Sequence, residues 1–371
     1  MTTETTSPPI DAASLAGGST LPAAWYTEPE IFAVERREIF PRGWQYIGPA
    51  GYVAQPGQFM TADLGSLPTI VARDQGGRLH AMANVCQHRG ALVASGTGTC
   101  KAFKCPYHGW CYGLDGRLKT APWMAEKPDP ELFSLPRLQV AECGPFVFAA
   151  GEMAEPFERY IGHLPERLRE IGVNLDRMRA RKRIEYDLAA NWKVLVENFS
   201  ECYHCPTVHP YFGKYVDLGS YEFEFDDYWF AQGGPDPRPS DPERDGGAQI
   251  ACGLFVALWP NVMVNVYPGE DNISAMVVLP VSHERSLVHI DFYFGMDASE
   301  AGADDVVQFT DRQLREDWQI AESVQRGLSS GAFRAGQLNL GVPAGRSEQG
   351  ISRFQARVHM ALADRLKAQL G

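Results

Sequence analysis

The chain has 371 residues, 44% hydrophobic and 22% charged, which is ordinary for a globular protein and long enough for two domains. Its formal net charge of −12 disfavours a nucleic-acid-binding face, and no apolar run approaches the roughly 20 residues that span a bilayer. The first twenty residues have neither the basic start nor the apolar centre of a signal peptide, so they read as a disordered tail. With no secretion signal, the eight cysteines suit a reducing cytoplasm, where clustered Cys and His mark metal sites.

Residues 21–44 read as a lead-in that packs on the larger domain, with a short helix from Pro29 to about Phe40 that Pro41 ends. Over 45–151, short β-type runs such as 69–72 alternate with turns at Gly76-Gly77, Gly96-Thr97-Gly98 and Asp115-Gly116, which predicts a small all-β domain. The rest, 152–371, forms a second domain. A helix is expected over 156–172 from the spacing of Phe157, Ile161, Leu164 and Leu168, then a strand over 181–189. Trp192, Leu195, Val196 and Phe199 predict a helix from Asn191 to about Tyr203. The Pro-, Gly- and charge-rich stretch 233–247 reads as a long solvated loop, a candidate lid. Strands are expected at 251–258, 262–267, 273–280 and 286–294, and helices at 303–328 and 347–369. The fold class is α+β: an all-β domain followed by an antiparallel sheet flanked by helices.

Two motifs carry chemistry. The first is Cys86-Gln-His88-Arg-Gly followed by Cys105-Pro-Tyr-His108-Gly-Trp. Each of two loops offers one thiolate and one imidazole. A structural zinc finger pairs Cys with Cys and His with His. Cys–His twice on a small β domain instead suits a Rieske [2Fe–2S] cluster, with both Cys on one iron and both His on the other. Gly90 and Gly109 permit tight turns. The other cysteines, Cys100, Cys111, Cys143, Cys202, Cys205 and Cys252, read as buried thiols.

The second motif is Glu201-Cys-Tyr-His204-Cys-Pro-Thr-Val-His209-Pro210. Glu201 and His204 are three apart, hence on one helix face. His209 fits the same metal if Pro206 breaks the helix and the chain folds back. Two His and a carboxylate form the site type of non-haem Fe(II) oxygenases. The carboxylate is either Glu201 or one from the helix near 317. There Asp317 falls on the apolar face of Leu314, Ala321, Val324 and Leu328, while Asp311 and Glu322 point away and Glu316 sits at the flank. A carboxylate on a buried face needs a metal or a partner such as Arg326.

These motifs resemble the Rieske family, and Arg42-Gly-Trp44-Gln-Tyr46 is similar to the lead-in of its oxygenase α subunits. The resemblance covers nearly the whole chain from about residue 20. It implies His204, His209 and Asp317 as ligands of a mononuclear Fe(II), with Asn198 near the iron. It makes Glu201 the electron bridge to His108 of an adjacent subunit, in a homotrimer. It further implies O2 as co-substrate and NAD(P)H electrons arriving through a flavin/iron–sulfur reductase or a ferredoxin. A pure electron carrier is the competing class, but a carrier needs no second iron. A degenerate pocket-binding protein is a third class, and all the expected ligands are present.

The runs Glu-Cys-Tyr-His-Cys-Pro and 322–328 look like the choline, glycine betaine and stachydrine oxygenase branch, which implies a small quaternary ammonium as substrate and hydroxylation or N-demethylation as the reaction. Such a cation binds aromatic faces, and Trp229, Phe255, Trp259, Tyr267 and Phe292 are candidate walls. An aromatic compound undergoing hydroxylation or dihydroxylation is the alternative, because its pocket uses the same residue types.

Overall fold

The structure, a computed structural model, describes residues 10–151, 153–236 and 250–370; the expected lid at 233–247 lies outside the described residues from 237 on. The chain forms two compact units: Phe40–Phe157, and Glu158–Gly371 together with the described part of Met1–Ile39. Among the described residues no helix is long and apolar enough to cross a membrane.

Helices α1 (Ala12–Ala16), α2 (Ala24–Thr27) and α3 (Pro29–Glu38) open the larger unit. Asp11 caps α1 by accepting from the Ser14 N–H at 2.7 Å, Leu15 is buried and Ser19 bridges to Gln337. Residues 10–20 are therefore folded, where the composition suggested a disordered tail; a cap and one apolar side chain suffice once a C-terminal segment is there to receive them. Pro29 sits in the first turn of α3, where a missing N–H costs nothing. The helix also buries Glu35, which accepts from Lys193 Nζ at 2.5 Å and Trp192 Nε1 at 2.8 Å. Both carboxylate oxygens are thus satisfied, the condition under which a buried ion pair is tolerated.

In the smaller unit, β1 (Gln45–Pro49), β2 (Gln58–Leu64), β3 (Leu67–Arg73), β4 (Leu79–Ala83) and β5 (Thr97–Thr99) precede a small sheet of β6 (Phe103–Lys104), β7 (Cys111–Tyr112) and β8 (Leu118–Thr120). The single-turn helix α4 (Pro130–Phe133) leads to β9 (Arg137–Cys143) and β10 (Phe146–Ala150). The main sheet runs β1-β10-β9-β4-β3-β2-β5, antiparallel throughout. One core cluster centres on Ile70, Met82, Trp110 and Tyr112. This is the all-β domain that the turn spacing predicts.

The helix expected over 156–172 is two helices, α5 (Phe157–Ile161) and α6 (Leu164–Glu170). Gly162 between them has φ +52° and would place a Cβ 2.9 Å from Asp226 Oδ2, so glycine is required and the helix cannot run through. After β11 (Arg179–Leu188) come α7 (Trp192–Phe199) and α8 (Cys205–Val208), then β12 (Glu222–Phe225), β13 (Trp229–Pro235), β14 (Cys252–Leu258), β15 (Val262–Val266), β16 (Asn272–Ser282) and β17 (Arg285–Phe294). Helices α9 (Glu300–Ser329) and α10 (Gln349–Leu370) end the chain. The sheet order is β11-β17-β16-β15-β14-β13-β12, also antiparallel. One row of directly opposed residues crosses it: Phe223, Gln232, Phe255, Asn265 and Ser274. Because side chains alternate along a strand, this row shares one face.

Candidate metal centres and substrate cavity

The two Cys–His loops of the smaller unit repeat one geometry. Cys86 N–H donates to Ala91 O at 2.8 Å and Gly90 N–H to Cys86 O at 2.9 Å; Cys105 N–H donates to Trp110 O at 2.8 Å and Gly109 N–H to Cys105 O at 3.1 Å. Gly90 and Gly109 close these turns at φ +75° and +74°, which only glycine adopts freely. Both thiols are buried, His88 is half-buried and His108 is exposed. The imidazole rings lie 4.6 Å apart, and His88 stacks on Trp110. Tyr112 Oη lies 3.2 Å from Cys86 Sγ and accepts from the Gln87 N–H at 3.1 Å. His88 Nδ1 is buried with no partner. An orphaned imidazole nitrogen beside two buried thiols fits a bound metal group, and the two-thiol, two-imidazole donor set fits a [2Fe–2S] cluster.

In the larger unit the helix expected to reach Tyr203 stops at Phe199, with the Ser200 hydroxyl turned back to Val196 O at 2.5 Å. Glu201 and His204 therefore do not meet across a helix face. They meet because Glu201 caps the next turn: its Oε2 accepts from the backbone N–H of Tyr203 and of His204, and its Oε1 pairs with His204 Nδ1. Pro206 does not break a helix here but stands in the first turn of α8, the place where proline is tolerated. That short helix delivers His209 at its end.

Helix α9 supplies the carboxylate. His209 Nε2 lies 3.0 Å and His204 Nε2 3.3 Å from the same oxygen, Asp317 Oδ1, and the three donor atoms all lie within 4.8 Å of one another. Each imidazole is held from behind by a different carboxylate, His204 by Glu201 and His209 Nδ1 by Glu316 Oε2 at 2.9 Å. Asn198 Nδ2 reaches Asp317 Oδ1 at 3.3 Å. Arg326 is exposed, so Asp317 faces the histidines and not the arginine partner considered above. Burial opposes ionisation of Asp317, yet its bonds to His204 and His209 hold the carboxyl below the usual range. Burial likewise opposes charge on His204, but Asp317 and Glu201 outweigh it and push the imidazole up to about 10. A half-buried nest of three carboxylates demands positive charge at its centre, which a divalent cation on His204, His209 and Asp317 provides.

A cleft opens on this centre. Of the aromatic candidates, Phe255 and Tyr267 line it, 5.4 Å apart. Phe212 and Tyr221 complete the wall, with Phe212 5.7 Å from Phe255. Trp229 and Trp259 do not line it; both face a separate cavity beside Arg357. Trp229 precedes Phe230 on β13 and points to the other face of the sheet, where its Nε1 donates to Ile161 O. Phe292 is buried beyond the cleft, opposite Ser274. Sequence reasoning missed Glu316, Phe212, Tyr221 and the amides Gln232, Asn265 and Gln313. The amides had a signal: polar side chains within otherwise apolar strands must face something that wants them. The expectation of buried thiols also changes. Cys202 and Cys205 are joined in a disulfide, and the remaining four non-loop cysteines are half-buried and outside any disulfide.

An all-β unit with paired Cys–His loops and an α+β unit with a two-histidine, one-carboxylate centre are the parts of a Rieske non-haem iron oxygenase. Residues 43–139 match the family described as Rieske [2Fe-2S] domain, and residues 175–364 that described as ring hydroxylating alpha subunit (catalytic domain). The choline monooxygenase of Beta vulgaris chloroplasts is 33% identical over 96% of this chain and 78% of its own. The carnitine monooxygenase oxygenase subunit of Acinetobacter pittii (strain PHEA-2) is 33% identical over 91% of this chain and 93% of its own. A solved quaternary ammonium Rieske monooxygenase, described as giving insights into carnitine oxidation by gut microbiota and inter-subunit electron transfer, superposes with TM-score 0.84 at 30% identity, over 94% of this chain and 97% of that one. The chain belongs to the Rieske oxygenase α-subunit family and is an oxidoreductase with a [2Fe–2S] domain and a non-haem iron domain.

Proposed function

We propose that this oxygenase hydroxylates or N-demethylates a small quaternary ammonium compound, using O2 and electrons that a NAD(P)H-dependent reductase or ferredoxin delivers to the cluster. The observation that carries the reading is the aromatic wall of Phe212, Tyr221, Phe255 and Tyr267 beside the convergent His204, His209 and Asp317. A permanent cation binds ring faces, and the acidic surroundings of the centre favour it further.

In this proposal Cys86, His88, Cys105 and His108 hold the cluster, and His204, His209 and Asp317 hold the iron. Bound there, the iron supplies oxygen activation next to the substrate's N-methyl group. Glu201 and Glu316 fix the ring planes and tautomers of the two histidines by accepting hydrogen bonds from their Nδ1–H groups. Asn198 holds the Asp317 oxygen that faces both rings. The aromatic wall orients the methyl group toward the centre and keeps bulk water from it. Glu201 is also the bridge to His108 of an adjacent subunit in a homotrimer, and the exposed edge of His108 suits such a contact. The loop thiols Cys86 and Cys105, which must stay reduced to hold a cluster, suit a reducing compartment, the cytoplasm.

The test is substrate-coupled oxygen uptake by the iron-loaded protein with a flavin reductase and NADH, screened over betaines, amino alcohols, benzoates and arenes, with aldehyde assayed alongside. Coupled turnover of a quaternary amine is expected; coupled turnover of arenes alone would replace the substrate class, and cycling of the cluster with no coupled substrate would favour an electron carrier.

A further inference from the structure

The turn that follows Glu201 is closed by the disulfide between Cys202 and Cys205, three residues apart. Both cysteines are buried in one apolar cluster with Phe212, Tyr221, Phe255 and Tyr267, and both line the cleft. They are not metal donors: among the described residues the convergent group is His204, His209 and Asp317, and no sulfur joins it. The cross-link acts on the ligands through the backbone instead. His204 lies inside the loop that it closes. Cys205 opens α8, and its carbonyl accepts from the His209 N–H at 2.9 Å, while its own N–H donates back to Cys202 O at 3.2 Å. One sulfur–sulfur bond therefore bears on both histidines. It also bears on the Glu201 cap, which depends on the N–H groups of Tyr203 and His204. Tyr203, Pro206 and Thr207 are exposed, so the turn lies at the surface, where local opening is least costly.

The two units ask for opposite sulfur chemistry. Cys86 and Cys105 serve a cluster only as thiolates, which calls for reducing conditions, and a disulfide under such conditions is transient, catalytic or redox-sensing. Cys202 and Cys205 already meet across one turn, so their bond can form and break without rearranging the fold. Resting on the assignment of His204, His209 and Asp317 as iron ligands above, we propose that Cys202 and Cys205 are a reversible redox switch on the iron centre. As a disulfide they lock the turn in the shape that gathers the three donors; as two thiols they release it and weaken the hold on iron. The oxidant is hydrogen peroxide, which O2 becomes on taking up two electrons and two protons when no substrate is oxidised. One thiolate attacks the peroxide, the O–O bond breaks, and a sulfenic acid and one water result. The second thiol attacks that sulfur, the S–O bond breaks, the S–S bond forms and a second water leaves. Two electrons pass from the sulfurs to the oxygens: two thiols and one peroxide give one disulfide and two waters. A dithiol reverses the step by exchange through a mixed disulfide.

The experiment equilibrates the full-length protein anaerobically in buffers of reduced and oxidised dithiothreitol. Thiols are trapped with N-ethylmaleimide and located by peptide mass. After removal of the buffer, Fe(II) affinity is read by competition with a chelator, and the visible spectrum of the cluster serves as control. The pair should titrate between dithiol and disulfide, and the dithiol form should hold Fe(II) about tenfold more weakly. One equivalent of hydrogen peroxide added to the reduced protein should close the pair. Cys202→Ser and Cys205→Ser should each show the affinity of the dithiol form and no response to dithiothreitol, with melting temperature showing that they are folded. A wild-type pair that keeps one state throughout, or two forms that bind iron equally, overturns the switch and leaves the iron site standing. Failure of either form to bind iron overturns instead the ligand assignment beneath it.

Discussion

The two metal centres are built in opposite ways. The candidate cluster donors lie within 23 residues, Cys86 to His108, on two copies of one glycine-closed turn. The iron donors come from a turn after α7, from the end of α8 and from α9, with His209 and Asp317 108 residues apart. The first centre is a local motif that needs a scaffold only to bring two loops together. The second exists only when a helix far along the chain docks on the correct face. The first is thus secured by backbone hydrogen bonds and positive-φ glycines, the second by side-chain carboxylates behind each histidine.

That contrast is broken most severely by removing one donor from each centre. Asp317→Ala should abolish iron binding and lower coupled turnover by at least about 10³-fold, while the visible spectrum of the cluster stays unchanged. Cys86→Ser should do the reverse, bleaching the cluster and stopping turnover with the iron content of the larger unit intact. Metal analysis and absorption spectroscopy on both variants check this. If Asp317→Ala also bleached the cluster, the two units would not be independent metal sites.

A milder change sharpens the role of the carboxylates behind the iron centre. Glu316→Gln keeps the shape but weakens the acceptor for His209 Nδ1. Metal affinity should fall by about 10- to 100-fold, read by competition with a chelator. Retained affinity would mean that Glu316 pairs with Arg312, 3.5 Å away, and contributes nothing to the centre.

What could be read from the sequence follows the same division. The cluster motif was legible because its spacing is short and its donor chemistry is specific, and the structure brings its two Cys–His loops together. His204, His209 and Asp317 were legible as residues, but the reason for their meeting was not. Sequence spacing put Glu201 and His204 on one helix, whereas a cap does that work after the helix has ended. Asp317 was found because a carboxylate on an apolar helix face is conspicuous; Glu316 beside it was passed over because it sits at the flank of that face. The aromatic wall was half legible. Aromatic residues on buried strands are ordinary core, and only strand register separates Phe255, on the cleft, from Trp229, on the other face.

The smallest effect expected concerns how α7 is held in the larger unit. Glu197 on α7 accepts from Tyr26 Oη at 2.7 Å and Gln355 Nε2 at 3.0 Å, groups on α2 and α10. The charged groups of the ion pair, Lys193 and Glu35, lie close by, and Glu348 adds a repulsive charge. Burial raises the Glu197 carboxyl from 4.5 to about 7, against the pull of Tyr26, Gln355 and Lys193. A carboxyl whose folded pKa is raised binds more protons folded than unfolded between those values. Its contribution to stability is therefore complete below about pH 4.5 and is lost as pH rises through about 7. The loss is on the order of 1–3 kcal/mol. Glu197→Gln keeps an oxygen for Tyr26 and Gln355 and cannot titrate, so its melting temperature should gain on wild type between pH 5 and pH 8. Parallel melting curves for the two proteins over that range would show that Glu197 is already ionised when folded, its charge held by Tyr26, Gln355 and Lys193.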